Sequence, residues 1–148
     1  MNEKKDELQL MEMMDGARGE FSQLSQDMEN QRRIASSPDL PMELRLEAFE
    51  DITDSEVGDT TMWRARNIER EMGLRQIFLK FEGGNPTGTQ KDRIAFAQVR
   101  DAMRRGFDTI MLATCGNYGV AMALAASLAG VRCDIYIPET YHTQRVAE

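Results

Sequence analysis

The hydrophobic period of residues 77–105 changes once, across the stretch EGGNPTGTQKDR, Glu82–Arg93. Before it, Ile77, Leu79 and Phe81 alternate with Phe78 and Lys80, the pattern of a strand with at least one buried face. After it, Phe96, Val99 and Met103 fall at helical spacing, with Ala95 and Ala102 beside them. Between the two, Gly83, Gly84 and Gly88 permit positive φ and close approach to the backbone, while Pro86 forbids a helix through it. The stretch therefore dictates a strand–loop–helix unit. Gly106 after Arg104 and Arg105 predicts where that helix stops, with cations near the negative end of its dipole.

Lys91 is the unusual residue of the stretch. It falls in the first turn of the predicted helix, where an exposed cation costs about 0.3–1 kcal/mol against the dipole. The same field favours the neutral amine, which predicts a lowered lysine pKa and a better nucleophile. The alternative is a solvated lysine balanced by Asp92, a pairing worth little at a surface. A phosphate-loop reading fails in detail. That pattern needs a lysine directly after glycine, whereas Gly88 stands three residues before Lys91 and Asp92 takes the Ser/Thr position.

A second unit begins at Thr109. Ile110, Met111, Leu112 and Ala113 form a continuous apolar run, as in a strand covered on both faces. It stops at the polar turn Thr114-Cys115-Gly116-Asn117-Tyr118-Gly119. Val120 to Ala129 is then apolar all round, the mark of a buried helix, and Gly130 ends it. Such a turn presents N–H groups to an anion at the carboxyl end of a strand, where open α/β sheets bind ligands. A third strand, Val131 to Ile137, puts Val131, Cys133, Ile135 and Ile137 on one face and Arg132, Asp134 and Tyr136 on the other. Pro138 ends it, and Thr143 to Glu148 reads as the opening of another helix. The order β-α-β-α-β-(α) implies parallel strands with right-handed crossovers. The predicted fold is α/β, a three-layer αβα arrangement with a parallel sheet, incomplete within this chain. A dinucleotide site fits less well. Gly116 and Gly119 supply two of its three glycines, Asp134 comes too soon, and Lys91 is left unexplained.

Composition narrows the partners. A chain of 148 residues is long enough for one real core. A net charge of −7 argues against nucleic acid and against an anionic membrane surface. No apolar run reaches membrane-span length, and MNEKKDELQL lacks a signal core, so the cytoplasm is the expected location. Cys115 and Cys133 are too few for a disulfide framework and are expected reduced; one histidine gives no zinc pattern.

Residues 1–57 differ from the rest, being rich in Glu, Asp, Gln and Met. Leu8, Met11 and Met14 could line a helix face, as could Phe21, Leu24, Ser25 and Met28. Ser36-Ser37-Pro38 and Pro41 break any continuous helix, and Met42 to Phe49 predicts a short one with Leu44, Ala48 and Phe49 near one face. This reads as an acidic, Met-rich, partly helical extension, either partly disordered or packed on the body, with a regulatory role as the alternative. Residues 58–148 read as the α/β part.

Asn85-Pro86-Thr87-Gly88-Thr89-Gln90-Lys91-Asp92-Arg93 resembles the lysine motif of the fold-type II pyridoxal-phosphate enzymes, the tryptophan synthase beta-like superfamily. These include threonine synthases, cysteine synthases, and serine and threonine dehydratases, and the N-P-T-G-x-x-K-D-R form is most similar to the threonine synthases. By this resemblance Lys91 carries the Schiff base to pyridoxal 5'-phosphate. Thr114, Gly116, Asn117 and Gly119 match a loop of the form S/T-S/T-G-N-x-G. The resemblance gives Asn117 the cofactor ring hydroxyl, and gives the loop residues Thr114, Cys115, Gly116 and Tyr118 the substrate α-carboxylate. Gly58-Asp59-Thr60-Thr61 resembles the family's G-x-T-P-L entry segment, for which no chemical role is read. Gln90, Thr61 and Cys115 depart from the usual residues. The resemblance covers about residues 58–148.

What it implies is a lyase acting on a small amino acid by elimination or replacement, of the threonine synthase type that converts O-phosphohomoserine to threonine. A serine/threonine dehydratase or a cysteine synthase-like β-replacement enzyme is the alternative within the family. A non-catalytic or split chain that needs a partner is the alternative outside it. In the family the glycine-rich phosphate cup and the residue facing the pyridine nitrogen lie further downstream. The expectation is therefore the amino-terminal part of a longer enzyme, inactive by itself, with a homodimer as the candidate assembly at full length.

Overall fold

The computed structural model describes residues 28–139 of the chain. The helix faces expected at Leu8, Met11 and Met14 and at Phe21, Leu24 and Ser25, and the helix expected from Thr143, lie outside the described residues.

Residues 28–36 are helical (α1) and the chain breaks at Ser37–Pro41, where Pro38 and Pro41 were expected to break it. Helix α2, Met42–Glu56, follows. It runs two turns beyond the predicted Phe49. Ala48, Phe49 and Ile52 are its buried face, whereas Leu44, expected near that face, is 49% exposed. Strand β1 (Met62–Arg64), helix α3 (Arg66–Met72), strand β2 (Phe78–Lys80) and a 3₁₀ turn at Glu82–Gly84 lead to the loop before helix α4, Lys91–Arg104. Strand β3 (Thr109–Ala113), helix α5 (Asn117–Ala129) and strand β4 (Arg132–Tyr136) complete the described chain.

The core lies among the helices. Ala95, Phe96, Val99 and Met103 of α4 meet Ala121, Met122, Ala125, Ala126 and Ala129 of α5 and Ala48, Phe49 and Ile52 of α2 in one cluster. The predicted face of α4 is the buried one because 3.6-residue periodicity leaves it no other apolar side. Phe49 and Phe96 stack with ring centroids 5.6 Å apart and planes 14° apart. Each fully buried ring contributes about 1.5–3 kcal/mol relative to exposure, and the stacking adds about 0.5–1.5 kcal/mol. The N-terminal helices are thus tied to the body. Arg45 strengthens the tie: its Nε donates to the Ala35 carbonyl (3.0 Å) and its Nη2 to the Ala129 carbonyl (2.9 Å), a cation at the carbonyl ends of two helices. Gly130 ends α5 at φ +63°, and a Cβ there would lie 2.5 Å from the Ser36 carbonyl oxygen, so both the turn and the neighbour require glycine.

Strands β3 and β4 pair in parallel, with Ile110 opposite Cys133 and Leu112 opposite Ile135. Their inner face packs on the core through Ile110, Leu112 and Cys133. The outer face is open among the described residues, with Met111 63% and Tyr136 58% exposed. The apolar run at 110–113 is therefore covered on one face here, not on two. The architecture is mixed α/β with small parallel and antiparallel sheets, as expected of an incomplete αβα domain.

Strand β2 departs from the expected order. It pairs antiparallel with β1, Trp63 opposite Leu79, and does not join the parallel pair. The alternation that predicted a buried face leaves Leu79 39% and Phe81 55% exposed. A two-stranded ribbon has no sheet neighbour to bury it, and among the described residues no layer packs on it. Glu69 of α3 anchors the ribbon, accepting from Arg64 Nε (2.8 Å) and the Ile77 N–H (2.7 Å). The Arg64 hydrogen bond, set against partial desolvation, holds its carboxyl below the usual range. Among the described residues no helix is long and apolar enough to cross a membrane.

Candidate active site

Two strand-to-helix junctions carry the predicted site residues. The first is a loop closed by its own polar side chains. Pro86 follows Asn85 in a turn whose Gly88 N–H donates to the Asn85 carbonyl at 2.8 Å. The Asn85 side chain is 4% exposed and works in two directions. Its Oδ1 accepts from the Gly58 N–H at 3.1 Å, and its Nδ2 donates to the Glu82 carbonyl at 2.8 Å and to Glu82 Oε2 at 3.1 Å.

Arg93 completes the closure. Its Nε donates to Glu82 Oε2 (2.8 Å), and its Nη2 donates to Glu82 Oε1 (3.1 Å), to Thr60 Oγ1 (3.1 Å) and to the Gly58 carbonyl (2.9 Å). The Thr60 hydroxyl in turn donates to Glu82 Oε1 at 3.2 Å. A two-pronged guanidinium–carboxylate pair is among the stronger polar contacts and fixes orientation as well as distance. The Arg93 hydrogen bond holds the Glu82 carboxyl below the usual range; burial opposes this, and the Asn85 and Thr60 donors reinforce it.

Lys91 is the first residue of α4 and is half-buried. Its backbone N–H donates to Thr89 Oγ1 at 3.1 Å, so Thr89 serves the helix start. Asp92 does not balance Lys91. It is fully buried, and its Oδ2 accepts from the Thr87 N–H (3.1 Å) and the Thr87 hydroxyl (2.9 Å). Its Oδ1 is buried without a hydrogen-bond partner among the described residues, an arrangement that costs stability.

The second junction is short and built from main chain. The Thr114 N–H extends the parallel ladder to the Tyr136 carbonyl at 3.0 Å, and the Gly119 N–H closes the turn on the Gly116 carbonyl at 2.8 Å. Asn117 is the first residue of α5 and is exposed, as is Cys115. Gly116 is the residue before the helix. The Tyr118 hydroxyl donates to Gln98 Oε1 on α4, so this side chain bridges the helix that Lys91 opens and the helix that Asn117 opens. Cys115 and Cys133 are free thiols, and burial pushes the Cys133 thiol up.

The lysine and the asparagine thus each stand at a helix start, where the first-turn N–H groups lack helical partners. Reading the sequence missed the partnership of Gly58, Thr60, Glu82, Asn85 and Arg93. The entry segment Gly58–Thr61, which suggested no chemistry, is one wall of the lysine loop. A signal existed in the glycine at 58 and the acid at 82. Their pairing spans many residues without periodicity, so no local pattern connects them.

Residues 53–148 match the family described as Pyridoxal-phosphate dependent enzyme. The chain is 40% identical over 95 residues to cystathionine beta-synthase of Oryctolagus cuniculus, covering 61% of this chain and 17% of that protein. It is 34% identical over 82 residues to threonine synthase of Methanocaldococcus jannaschii, covering 55% of this chain and 20% of that protein. It is 34% identical over 95 residues to cysteine synthase B of Escherichia coli, covering 62% of this chain and 31% of that protein. The chain therefore spans less than a third of the length of these curated relatives. With the family match reaching from α2 through both helix-start loops, the chain belongs to the pyridoxal-phosphate dependent enzymes.

Proposed function

We propose that in the full-length protein Lys91 holds pyridoxal 5'-phosphate and that the protein is a lyase of elimination or replacement type acting on a small amino acid. Conversion of O-phosphohomoserine to threonine is the favoured reaction. The observation that carries this reading is Lys91 as first residue of α4, at the end of a loop held by Asn85, Glu82 and Arg93. The chemistry of the donor set fits the cofactor. The primary amine of half-buried Lys91 suits its aldehyde, and the Asn117 amide at the start of α5 suits a ring hydroxyl.

When bound, the cofactor supplies an electron sink for negative charge at the substrate α-carbon. Lys91 then serves as tether and as the amine that moves the α-proton. Thr114, Cys115, Gly116 and Tyr118 form the loop for the substrate carboxylate. With the Tyr118 hydroxyl engaged by Gln98 and a thiol a weak donor, the backbone N–H groups and Thr114 do most of that binding. The reading also places the enzyme in the cytoplasm and takes a homodimer as its candidate assembly, which sedimentation of the full-length protein tests.

A second reading, a β-replacement enzyme, is favoured by the 40% identity to a cystathionine beta-synthase. The test is turnover by the full-length protein of O-phosphohomoserine, read as phosphate release, beside serine or O-acetylserine with a thiol. Turnover of the first supports the favoured reaction, and turnover of the second set alone moves the assignment to β-replacement. Turnover of neither, or turnover indifferent to Lys91→Ala, overturns the proposal.

A further inference from the structure

The clamp around the lysine loop is centred on Arg93, a residue of the same first turn as Lys91. Adjacent residues on an α-helix are rotated by about 100°, so Arg93, two positions after Lys91, lies roughly 200° around α4 from it. Arg93 therefore does not share a face with Lys91. Its guanidinium grips three residues that precede α4 in the chain, through both Glu82 oxygens, the Thr60 hydroxyl and the Gly58 carbonyl. Gly58 is part of the fit. It sits at φ +101°, and a Cβ there would lie 2.8 Å from Arg93 Nη1.

We propose that Arg93 is a positioning residue that fixes the rotation of the first turn of α4 about its axis, and so the direction in which Lys91 leaves it. The inference rests on the reading that Lys91 holds the cofactor. The physical ground is the planar fork of arginine. Two parallel bonds to Glu82 resist rotation, and the same Nη2 also reaches residues 58 and 60, which ties the fork to a second segment of chain. A lysine in its place keeps the charge and loses the fork. The clamp's hydrogen bonds run among residues 58, 60, 82, 85 and 93 and not to the Lys91 amine, so it acts through backbone placement.

The experiment compares Arg93→Lys, Glu82→Gln, Gly58→Ala and the double variant Arg93→Lys/Glu82→Gln in the full-length protein, with Lys91→Ala as control. Four quantities are read: the melting temperature of the cofactor-free protein, the absorbance band of bound cofactor with its pH profile, the fraction of cofactor fixed by borohydride, and kcat with KM. The expected result for Arg93→Lys is a kcat lower by on the order of 100-fold. KM is little changed, the pH profile of the absorbance band is shifted, and the melting temperature is nearly preserved. The double variant is expected to fall no further than the worse single one, because the two residues act as a unit. Variants that lower the melting temperature but leave the band, its pH profile and kcat of the folded protein unchanged overturn the inference in favour of a purely structural clamp. Should Gly58→Ala fail to fold, Arg93→Lys and Glu82→Gln decide. Loss of borohydride fixation in Lys91→Ala upholds the underlying reading whatever Arg93 does; its retention overturns both.

Discussion

The two strand-to-helix loops do the same topological job by opposite means. The first leaves β2, whose neighbour is antiparallel β1, so no parallel ladder continues into it. It is long, and side chains hold it: Asp92 holds Thr87, Asn85 and Arg93 both bond Glu82, and both also reach back to the Gly58–Thr60 segment. The second leaves β3 beside β4, and its Thr114 N–H simply extends that ladder to Tyr136. It is short, closed by main-chain bonds and by the contact of Thr114 with Gly119, and it leaves Cys115 and Asn117 exposed. The difference teaches how to read the lysine motif. Of its letters, Asn85, Thr87, Thr89, Asp92 and Arg93 are scaffold, and Lys91 is what the scaffold presents.

The largest expected effect sharpens that division. Lys91→Ala in the full-length protein should reduce turnover by about 10²–10⁴-fold through loss of proton transfer alone, with little change in melting temperature. A large loss of stability would place Lys91 with the scaffold instead. Asn85→Ala should do the reverse. It strips partners from the part-buried Gly58 N–H and Glu82 carbonyl and should cost about 1–3 kcal/mol in urea unfolding. A neutral result would mean the first loop does not depend on its side chains.

Gly119→Ala probes the second loop. A Cβ at Gly119 would lie 2.7 Å from the Thr114 methyl, so crowding should outweigh the better helix propensity of alanine and cost about 1–3 kcal/mol. Thr114→Ser in the same chain should restore most of it by removing that methyl. Cost without restoration would show that the Thr114–Gly119 contact is not what sets this loop.

A smaller effect is expected with pH. The folded Glu82 carboxyl is held below its unfolded range by Arg93, so its contribution is fully present above the ordinary carboxylate range. That contribution is lost as pH falls through the lowered folded value, because protonation then competes with the Arg93 bond. The acid limb of stability should flatten in Glu82→Gln, as measured by melting against pH. The smallest change is Cys115→Ser, expected within about 0.5 kcal/mol because the side chain is exposed and the main chain holds the turn.

Much of the fold around the two loops was legible from residue order. Phe96, Val99 and Met103 repeat at a helix period and are buried as that period requires. Gly106 and Gly130 both follow helices and stand at positive φ. The strand at 109–113 and the strand after Gly130 fall where the apolar runs placed them, whereas α5 begins at Asn117, three residues before the expected Val120. Illegible were the length of α2, the second face of β3 and the partner of β2. Leu44 and Ile52 are equally apolar, and only packing on Phe96 and α5 selected Ile52 for the core. Alternation in 77–81 announces a strand but is silent about which strand it pairs with and whether anything covers it.

Residue order alone set the succession of elements, the buried face of α4, the two polar junctions and the motif shared with the pyridoxal-phosphate enzymes. These follow from neighbours within a few positions, where steric limits and hydrophobic period act directly. Long-range packing settled that β2 turns back onto β1, that α2 shares the core of α4 and α5, and that Arg93 reaches Gly58 across 35 positions. Those choices depend on which distant groups can pair a part-buried charge or fill a shared core. Period and composition leave that open until the chain has closed on itself.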